Sequence, residues 1–222
     1  MVSAVVPTLD AARELAQTLA VLWDAAPLVG EIVVADGGSR DGTLDVAGSA
    51  GARVVLAPRG RGSQLAAGAA AAQGDWLLFV HADCRPLPGW EAAVRAFLAG
   101  SRERAGYFAL ALDDRRQAAR CLEALVAWRC RVCALPYGDQ GLLIHRTLYD
   151  AVGGHPAIPL MEDVALARRL GRARLQPLGA TMLASARRYR RDGYLRRSLR
   201  NLVCLSLYFA GVPPARIARL YG

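Results

Sequence analysis

The chain has 222 residues, 54% of them hydrophobic and 21% charged, so it can bury a sizeable core without disulfide bonds or structural metals. Its formal net charge is +9, but it contains no lysine, and with abundant alanine and glycine this usage indicates a GC-rich genome, which weakens the charge as an indication of a polyanion partner. The arginines are not interleaved with an aromatic platform, so nucleic acid is not an expected partner.

Four strand-then-helix units are predicted in the first half of the chain. Apolar strands are expected at residues 2–6, 32–35, 53–56 and 76–80, and each is followed by a polar turn and a helical pattern. The first helix is expected from about Ala11, with Asp10 as its N-cap, and the fourth from around Pro88. Strands that are flanked by helices and apolar on both faces predict a parallel sheet.

The pattern changes after Gly106. A strand is predicted at residues 107–112 and a long helix at 117–133, and a glycine-rich segment at 137–141 precedes another strand. Further helices are predicted at 165–170 and 195–209, the second with a basic start. Neither an internal repeat nor a long linker divides the chain, so we expect one domain.

The cysteine count and the apolar stretches predict a cytoplasmic protein. Five cysteines are an odd number in a chain of this size, which predicts free thiols, and Cys130 and Cys133 are expected to be buried helix thiols rather than metal ligands. The N-terminus lacks a basic region and a long apolar run, so no signal peptide is expected. Residues 202–212 are too short to span a bilayer and are expected to be core, or at most an interfacial face.

The arginines are concentrated at the end of the chain. Thirteen arginines and only one acid, Asp192, follow Asp163. This asymmetry indicates that the C-terminal quarter faces something anionic, such as a phosphate, a lipid head group or a membrane surface.

Acidic residues follow three of the predicted strands, where open α/β sheets bind nucleotides. After residues 32–35, Asp36 precedes Gly37 and Gly38, which would let the backbone approach a planar ring while the carboxylate accepts hydrogen bonds from a base or ribose. The alternative is an Asp-Gly turn. The turn that ends in Asp10 suits a ligand site or a helix cap.

Asp83 ends the fourth unit, in the sequence His81-Ala82-Asp83. Its carboxylate could hold Mg²⁺ or Mn²⁺ against a diphosphate, and the alternative is an Asx-turn before Pro86. A lone histidine such as His81 is more often packed or hydrogen-bonded than a ligand.

Several other polar residues are candidates for the same chemistry. Asp139 and Gln140 lie in a glycine-flanked loop and suit sugar hydroxyls, although a tight turn before a strand is the alternative. Arg61 and Arg188 are candidates to stabilise a diphosphate leaving group, and each could equally be a solvated surface arginine.

Four motifs occur in a fixed order along the chain: Pro7-Thr8-Leu9-Asp10, Asp36-Gly37-Gly38-Ser39-Arg40-Asp41-Gly42-Thr43, His81-Ala82-Asp83 and Glu162-Asp163. This succession resembles the family 2 glycosyltransferases. In more detail, residues 138–141 followed by 159–164 are similar to a small bacterial subgroup often labelled radical-SAM/selenodomain-associated transferase.

The resemblance implies an α/β protein of GT-A fold, a single Rossmann-like domain with a mostly parallel central sheet flanked by helices and a helical C-terminal segment. Residues 1–105 would form the nucleotide-binding half, and residues 106–222 the acceptor-side half with its basic helical C-terminus. The implied reaction is transfer of a single sugar from a nucleoside-diphosphate sugar to a hydroxyl of a small molecule or lipid, with inversion at the anomeric carbon.

Each role falls on a matching residue. Asp36 would contact the base, with the turn from Pro7 to Asp10 lining the same pocket together with Gly37, Gly38, Arg61 and Ala82. Asp83 would hold Mg²⁺ or Mn²⁺, and Asp163, paired with Glu162, would be the general base. Asp139, Gln140 and Arg188 would face the donor or acceptor sugar.

The chain also departs from the family pattern. His81 replaces the first acid of the Asp-x-Asp metal motif, so one carboxylate fewer is offered to a metal. The alternatives to a transferase are a catalytically idle scaffold that binds nucleotide or an anionic membrane, and a sugar nucleotidyltransferase, which normally has a glycine-rich signature where Pro7 to Asp10 stand. Peripheral contact with the inner face of a membrane, through the arginine-rich end, is a further expectation.

Overall fold

A computed structural model of the protein describes residues 1–221. Within these residues one sheet contains eight strands, in the spatial order β3-β2-β1-β4-β7-β6-β8-β5. The strands are β1 (Val2–Thr8), β2 (Val29–Asp36), β3 (Arg53–Leu56), β4 (Trp76–Phe79), β5 (Cys84–Pro86), β6 (Ala105–Leu112), β7 (Leu142–His145) and β8 (Leu175–Ala184).

Ten α-helices lie within residues 1–221. They are α1 (Ala12–Trp23), α2 (Thr43–Ser49), α3 (Arg61–Ala71), α4 (Trp90–Leu98), α5 (Gln117–Cys133), α6 (Arg146–Ala151), α7 (Glu162–Leu170), α8 (Arg187–Asp192), α9 (Tyr194–Phe209) and α10 (Pro214–Tyr221). A short 3-10 helix, Gly138–Gln140, lies between α5 and β7. In this described part of the chain, no helix is long and apolar enough to cross a bilayer.

The first four strands are parallel, as the alternation of strands and helices predicts. β1 lies between β2 and β4, and in this register Thr8 is opposite Asp36. The second half of the sheet is mixed, because β7 runs antiparallel to β4 and to β6, while β8 runs parallel to β6 and antiparallel to β5. The carboxyl ends of β1, β2 and β4 therefore meet at one edge, and the acids predicted there lie at that edge.

Both faces of the central strands are buried. Successive residues of a strand point to opposite faces, and in β2 Val33 packs in one apolar cluster while Val34 packs in another. The side chains of Leu15, Leu19 and Leu22 form one stripe of α1 and pack in the same cluster as Val34. A third cluster joins α7 to α9 and α10.

Several sequence-based predictions are wrong in detail. Asp10 does not cap α1: its φ is +50°, and the N–H groups at the start of the helix bond instead to Asp41 and Thr43, from the loop after β2. All five cysteines are free as predicted, but Cys133 is exposed while Cys130 is buried.

Candidate active site

The loops after β1 and β2 form one hydrogen-bonded unit. The side chain of Asp10 accepts a hydrogen bond from the backbone N–H of Arg40 at 2.8 Å, and the N–H of Asp10 donates to Ser39 Oγ at 2.9 Å. Pro7 and Thr8 are buried, whereas Leu9 is half-buried and Asp10 exposed. The two turns that were predicted to line one nucleotide pocket are therefore adjacent.

Asp36 organises this unit. The carboxylate is fully buried, and it accepts hydrogen bonds from the Thr8 and Ser39 hydroxyls and from the N–H groups of Gly38 and Ser39, at 2.5–2.9 Å. Burial raises the pKa of Asp36, but these bonds more than offset it, so the net shift is downward. Its acceptor capacity is satisfied within the chain. Asp36 thus fixes the shape of the loop, and its contact with a base stays a prediction.

Gly37 and Gly38 serve different needs. A Cβ on Gly37 would lie 3.0–3.2 Å from the amide of Gln64, whose Nε2 donates to backbone carbonyls at the ends of β1 and β2. Gly38 has a φ of +91°, which non-glycine residues rarely adopt. The absence of a side chain on Gly37 therefore lets Gln64 of α3 pack closely beneath the loop, whereas Gly38 is required by its backbone conformation.

His81 lies at the end of β4, with its ring against the loop at Gly138. A Cβ on Gly138 would stand 2.4 Å from His81 Nε2, so only glycine allows this contact. Nε2 is buried and has no hydrogen-bond partner. Burial and the charge of Arg61 lower the pKa of His81 to about 4, although Asp83 and Asp163 act in the opposite direction. The imidazole is therefore neutral at pH 7, and its Nε2 makes no hydrogen bond.

Asp83 lies next to His81, in a turn held by α1. The Thr18 hydroxyl donates to the carbonyl oxygens of Ala82 and Cys84 at 2.8 and 3.0 Å. Ligand atoms of His81, Asp83 and Cys84 lie within 4.8 Å of one another. Burial and the charge of Asp83 raise the pKa of the Cys84 thiol well above its usual value, so it remains protonated. The donors that this group offers are a carboxylate and an imidazole.

The loop before β7 adds a third acid to the site. Asp139 has one carboxylate oxygen that is buried and unpartnered. Burial raises its pKa to about 6; Arg129 opposes this shift, and the negative charges of Asp163 and Asp83 add to it. In contrast, the amide of Gln140 is hydrogen-bonded within the protein, because Nε2 donates to Phe108 O and Oε1 accepts from Arg129. Gln140 holds the loop, and its predicted contact with a sugar would require these bonds to break.

Glu162 and Asp163 form the first turn of α7, where the helix dipole favours negative charge. Asp163 Oδ2 accepts a hydrogen bond from the N–H of Gly138 at 2.8 Å, which ties α7 to the loop that carries Asp139. Glu162 is buried, with neither oxygen hydrogen-bonded, and burial raises its pKa to about 7 against the attraction of Arg61. Asp163 is half-buried and borders a cavity of about 30 Å³ that His81 also lines.

Arg61 is the positive charge in the middle of these acids. Its Nε lies 3.4 Å from Glu162 Oε1. A Cβ on the next residue, Gly62, would stand 2.0 Å from the carbonyl oxygen of Pro156, so glycine is what lets the start of α3 approach the segment before α7. Burial lowers the pKa of Arg61, but the contributions of Glu162, Tyr221 and Asp163 together outweigh burial, so the net shift is upward. Arg188 is exposed on α8, but its charge still lowers the pKa of His81.

The structure thus joins two groups of predicted residues along one sheet edge. The first is the turn from Pro7 to Asp10 with Asp36, and the second is Asp83, Asp139, Glu162 and Asp163 with Arg61 and, at the periphery, Arg188. Sequence reasoning missed Arg129, whose guanidinium lies 3.4 Å from the centre of the Tyr137 ring, and His155, whose pKa burial lowers to about 3. Packing alone brings these two residues to the site, so no local motif marks them.

The comparison with protein families identifies the first half of the chain. Residues 3–103 match the model described as glycosyl transferase family 2. The match thus covers slightly less than half of the chain. The match covers β1 to β4 and the motifs of Asp36 and Asp83, so the resemblance inferred from the sequence is confirmed at the family level. The narrower bacterial subgroup stays a prediction.

Several solved structures share the architecture of this chain. Glucosyl-3-phosphoglycerate synthase from Mycobacterium tuberculosis, in complex with Mn²⁺, UDP-glucose and phosphoglyceric acid, has a TM-score of 0.64 at 23% identity, covering 96% of this chain and 80% of that one. Another complex of that enzyme, with Mn²⁺, UDP and glucosyl-3-phosphoglycerate, gives 0.59 at 23% identity over 83% of this chain and 70% of the other. A mycobacterial protein gives 0.60 at 26% identity over 83% and 65%.

These structures confirm the predicted GT-A fold, including the half of the chain that lies beyond the family match. No curated protein matches the sequence.

Proposed function

We propose that the protein transfers one sugar from a nucleoside-diphosphate sugar to an acceptor hydroxyl, with inversion at the anomeric carbon and with Asp163 as the general base. The observation that carries this proposal is the convergence of Asp83, Asp139 and Asp163, from three distant segments, around the unpartnered Nε2 of His81. Acids that are held close together and partly shielded from water repel one another, which is costly unless they perform a task.

The same group fits a divalent cation. Asp139 has a buried oxygen without a partner, and Asp83 adds a second carboxylate oxygen. Such hard oxygens are the ligands that Mg²⁺ and Mn²⁺ prefer. We assign Asp83 and His81 as the residues that hold the ion, with Asp139 close by. When bound, the cation would supply charge neutralisation for the diphosphate leaving group. The structural neighbours were crystallised with Mn²⁺ and UDP or UDP-glucose, which supports this assignment.

The donor would lie along the sheet edge. The base and ribose would rest on the turns of Pro7 to Asp10 and Asp36 to Gly38, and Arg61 and Arg188 would stabilise the negative charge that the diphosphate gains. To reach a phosphate, Arg61 must leave Glu162. Burial raises the pKa of Glu162, so this carboxyl is more readily protonated, which favours the release of Arg61. Glu162 is thus a positioning residue for Arg61.

Asp163 would activate the acceptor. Each of its oxygens accepts one backbone N–H, from Gly138 or from Val164, which fixes the carboxylate and leaves a lone pair on each oxygen for a hydroxyl proton. As the hydroxyl oxygen attacks the anomeric carbon, its proton passes to Asp163 and the bond to the diphosphate breaks on the opposite side, which inverts the configuration.

The acceptor belongs to a broad class, a hydroxyl on a small molecule or a lipid. The neighbouring enzyme was crystallised with phosphoglyceric acid and with glycerol 3-phosphate, which favours a small anionic acceptor for that enzyme. In this chain residues 106–222 would provide the acceptor side and residues 1–105 the nucleotide side of a single domain.

The competing functions make different predictions. An idle scaffold would bind nucleotide without hydrolysing or transferring the sugar, and a sugar nucleotidyltransferase would release pyrophosphate from a nucleoside triphosphate.

A screen of nucleoside-diphosphate sugars by thermal shift, with and without Mn²⁺, should give one donor that stabilises the protein only with the ion. Turnover of that donor is then measured for the wild type and for Asp163→Asn. The proposal expects both proteins to bind and only the wild type to react. Equal turnover in the variant would remove Asp163 from the mechanism.

A further inference from the structure

Helix α9 exposes its apolar side to solvent. Leu195, Leu199, Leu202, Val203 and Phe209 recur at helical spacing on one face, and their exposed fractions are 75%, 53%, 58%, 53% and 49%. Single exposed apolar side chains are ordinary, but five large ones on one face of one helix form an unpartnered surface.

The opposite face of α9 carries the charge that normally faces water. Arg197 is only 2% exposed, and it donates to Asp192, which also binds Arg200. The Arg197 guanidinium lies 4.3 Å from the centre of the Tyr221 ring. The charged residues of α9 thus make their contacts inside the protein, whereas its apolar face points to solvent. A surface helix normally has the opposite arrangement.

The neighbouring helix α5 shows the same arrangement. Cys121, Leu125, Trp128 and Val132 follow one another at spacings of four, three and four residues and all are exposed. Helix α5 contacts α9, so the two helices that carry these exposed stripes are neighbours. We call these two stripes together the α5–α9 face.

The charges around this face are positive. Exposed arginines precede or lie on both helices: Arg115, Arg116, Arg120, Arg131, Arg188, Arg191 and Arg196. The acids of this region are neutralised, because Asp114 pairs with Arg116, Glu123 pairs with Arg120, and Asp192 pairs with Arg191, Arg197 and Arg200. Other arginines of the C-terminal quarter are already paired, Arg187 with Glu14 and Arg190 with Asp113.

We propose that the α5–α9 face docks on the surface of an anionic lipid bilayer. An apolar stripe edged by arginine has the chemistry of an interfacial helix, and tryptophan, here Trp128, prefers the boundary between head groups and acyl chains. A second copy of the chain fits less well, because the exposed arginines of two copies would face each other without acids to pair with. From sequence alone, residues 202–212 are expected to be core or at most an interfacial face, and the exposure of Leu202, Val203 and Phe209 favours the interfacial face.

The test is co-sedimentation of the full chain with vesicles. We expect binding to phosphatidylcholine vesicles that contain about one quarter phosphatidylglycerol, weak binding to phosphatidylcholine alone, and loss of binding as salt rises from about 0.05 to about 0.5 M. The double variant Leu199→Gln/Leu202→Gln should bind at least about tenfold more weakly. The control is Leu56→Gln, which removes a leucine on β3 that is more exposed than Leu199 or Leu202 and should bind like the wild type.

Trp128 gives a second readout, since it is the exposed tryptophan of the four in the chain. Its emission should shift to the blue on anionic vesicles, and the shift should disappear in Trp128→Phe. Circular dichroism melting checks that the variants fold. Absence of vesicle binding by the wild type, or equal binding by the double variant, overturns the proposal. A dimer that sedimentation equilibrium detects in the wild type and not in the double variant would also overturn it, because a second copy would then cover the face.

Discussion

Replacing Asp139 by asparagine should stabilise the ligand-free protein. The side chain holds a buried oxygen without a hydrogen-bond partner, and burial together with Asp163 and Asp83 raises its pKa from the ordinary 3.8 to about 6. A carboxyl group whose pKa is higher in the folded state binds its proton more tightly there, so the folded state loses stability as the pH rises from about 4 to about 6. Above about pH 6 the ionised carboxylate lowers the free energy of unfolding by its full amount.

The size of the effect follows from the shift. A shift of about two units corresponds to about 3 kcal/mol, and because the side chain is only partly enclosed we expect the gain at pH 8 to lie at about 1–3 kcal/mol. For a chain of this size that is about 2–12 °C in the melting temperature. The gain should shrink towards pH 4 and vanish below about pH 3, where the wild-type carboxyl is protonated in both the folded and the unfolded state.

Thermal melts of the wild type and Asp139→Asn from pH 4 to pH 8 measure this difference directly. Asp150→Asn is the matched control, since Asp150 is exposed, and its melting temperature should follow the wild type at every pH. The variant should also gain less from added Mn²⁺ and nucleoside diphosphate than the wild type does. A melting temperature for Asp139→Asn at pH 8 equal to or below that of the wild type would refute the account of this acid.

The other predictions concern catalysis and positioning. Asp163→Asn should keep donor affinity within about threefold and lower turnover by about 10²–10⁴-fold. Calorimetry measures the affinity and a transfer assay measures the turnover. Reduced donor binding in the variant would instead assign Asp163 to the donor site. Gly138→Ala places a Cβ 2.4 Å from His81 Nε2 and should weaken Mn²⁺-dependent binding of the donor, whereas Gly48→Ala, in open space on α2, should leave it unchanged. Arg61→Gln should weaken binding of the nucleoside diphosphate more than that of the nucleoside, and equal losses for both ligands would contradict the phosphate contact.

The sequence predicted the first half of the fold because its strands and helices alternate and end at clear turn residues. It did not predict β8, where Pro177 and Gly179 interrupt the apolar pattern, or the three-residue strand β5, which is too short for a periodic signal. The cap of α1 was assigned to Asp10, because that residue precedes the helix; the groups that bind its first N–H donors come from Asp41 and Thr43, through a tertiary contact that no local pattern reveals.

The site was predictable to the extent that its residues follow strands. Asp36 and Asp83 end strands of the parallel half, so their shared edge follows from topology. The burial of Glu162, the orphan nitrogen of His81 and the engagement of Gln140 depend on how the two loops pack, and sequence gives no measure of that. The outward apolar face of α9 was hidden for the same reason, since an amphipathic pattern does not state which side faces the core.

The central claim is that Asp83 and its neighbours form one cation-dependent site for the diphosphate of a nucleotide sugar. Calorimetric titration of UDP into the protein, with and without Mn²⁺, for the wild type and for Asp83→Asn, tests it most directly. The account predicts that Mn²⁺ strengthens UDP binding to the wild type by at least about tenfold and has little effect on the variant. Equal strengthening by Mn²⁺ in both proteins would contradict it.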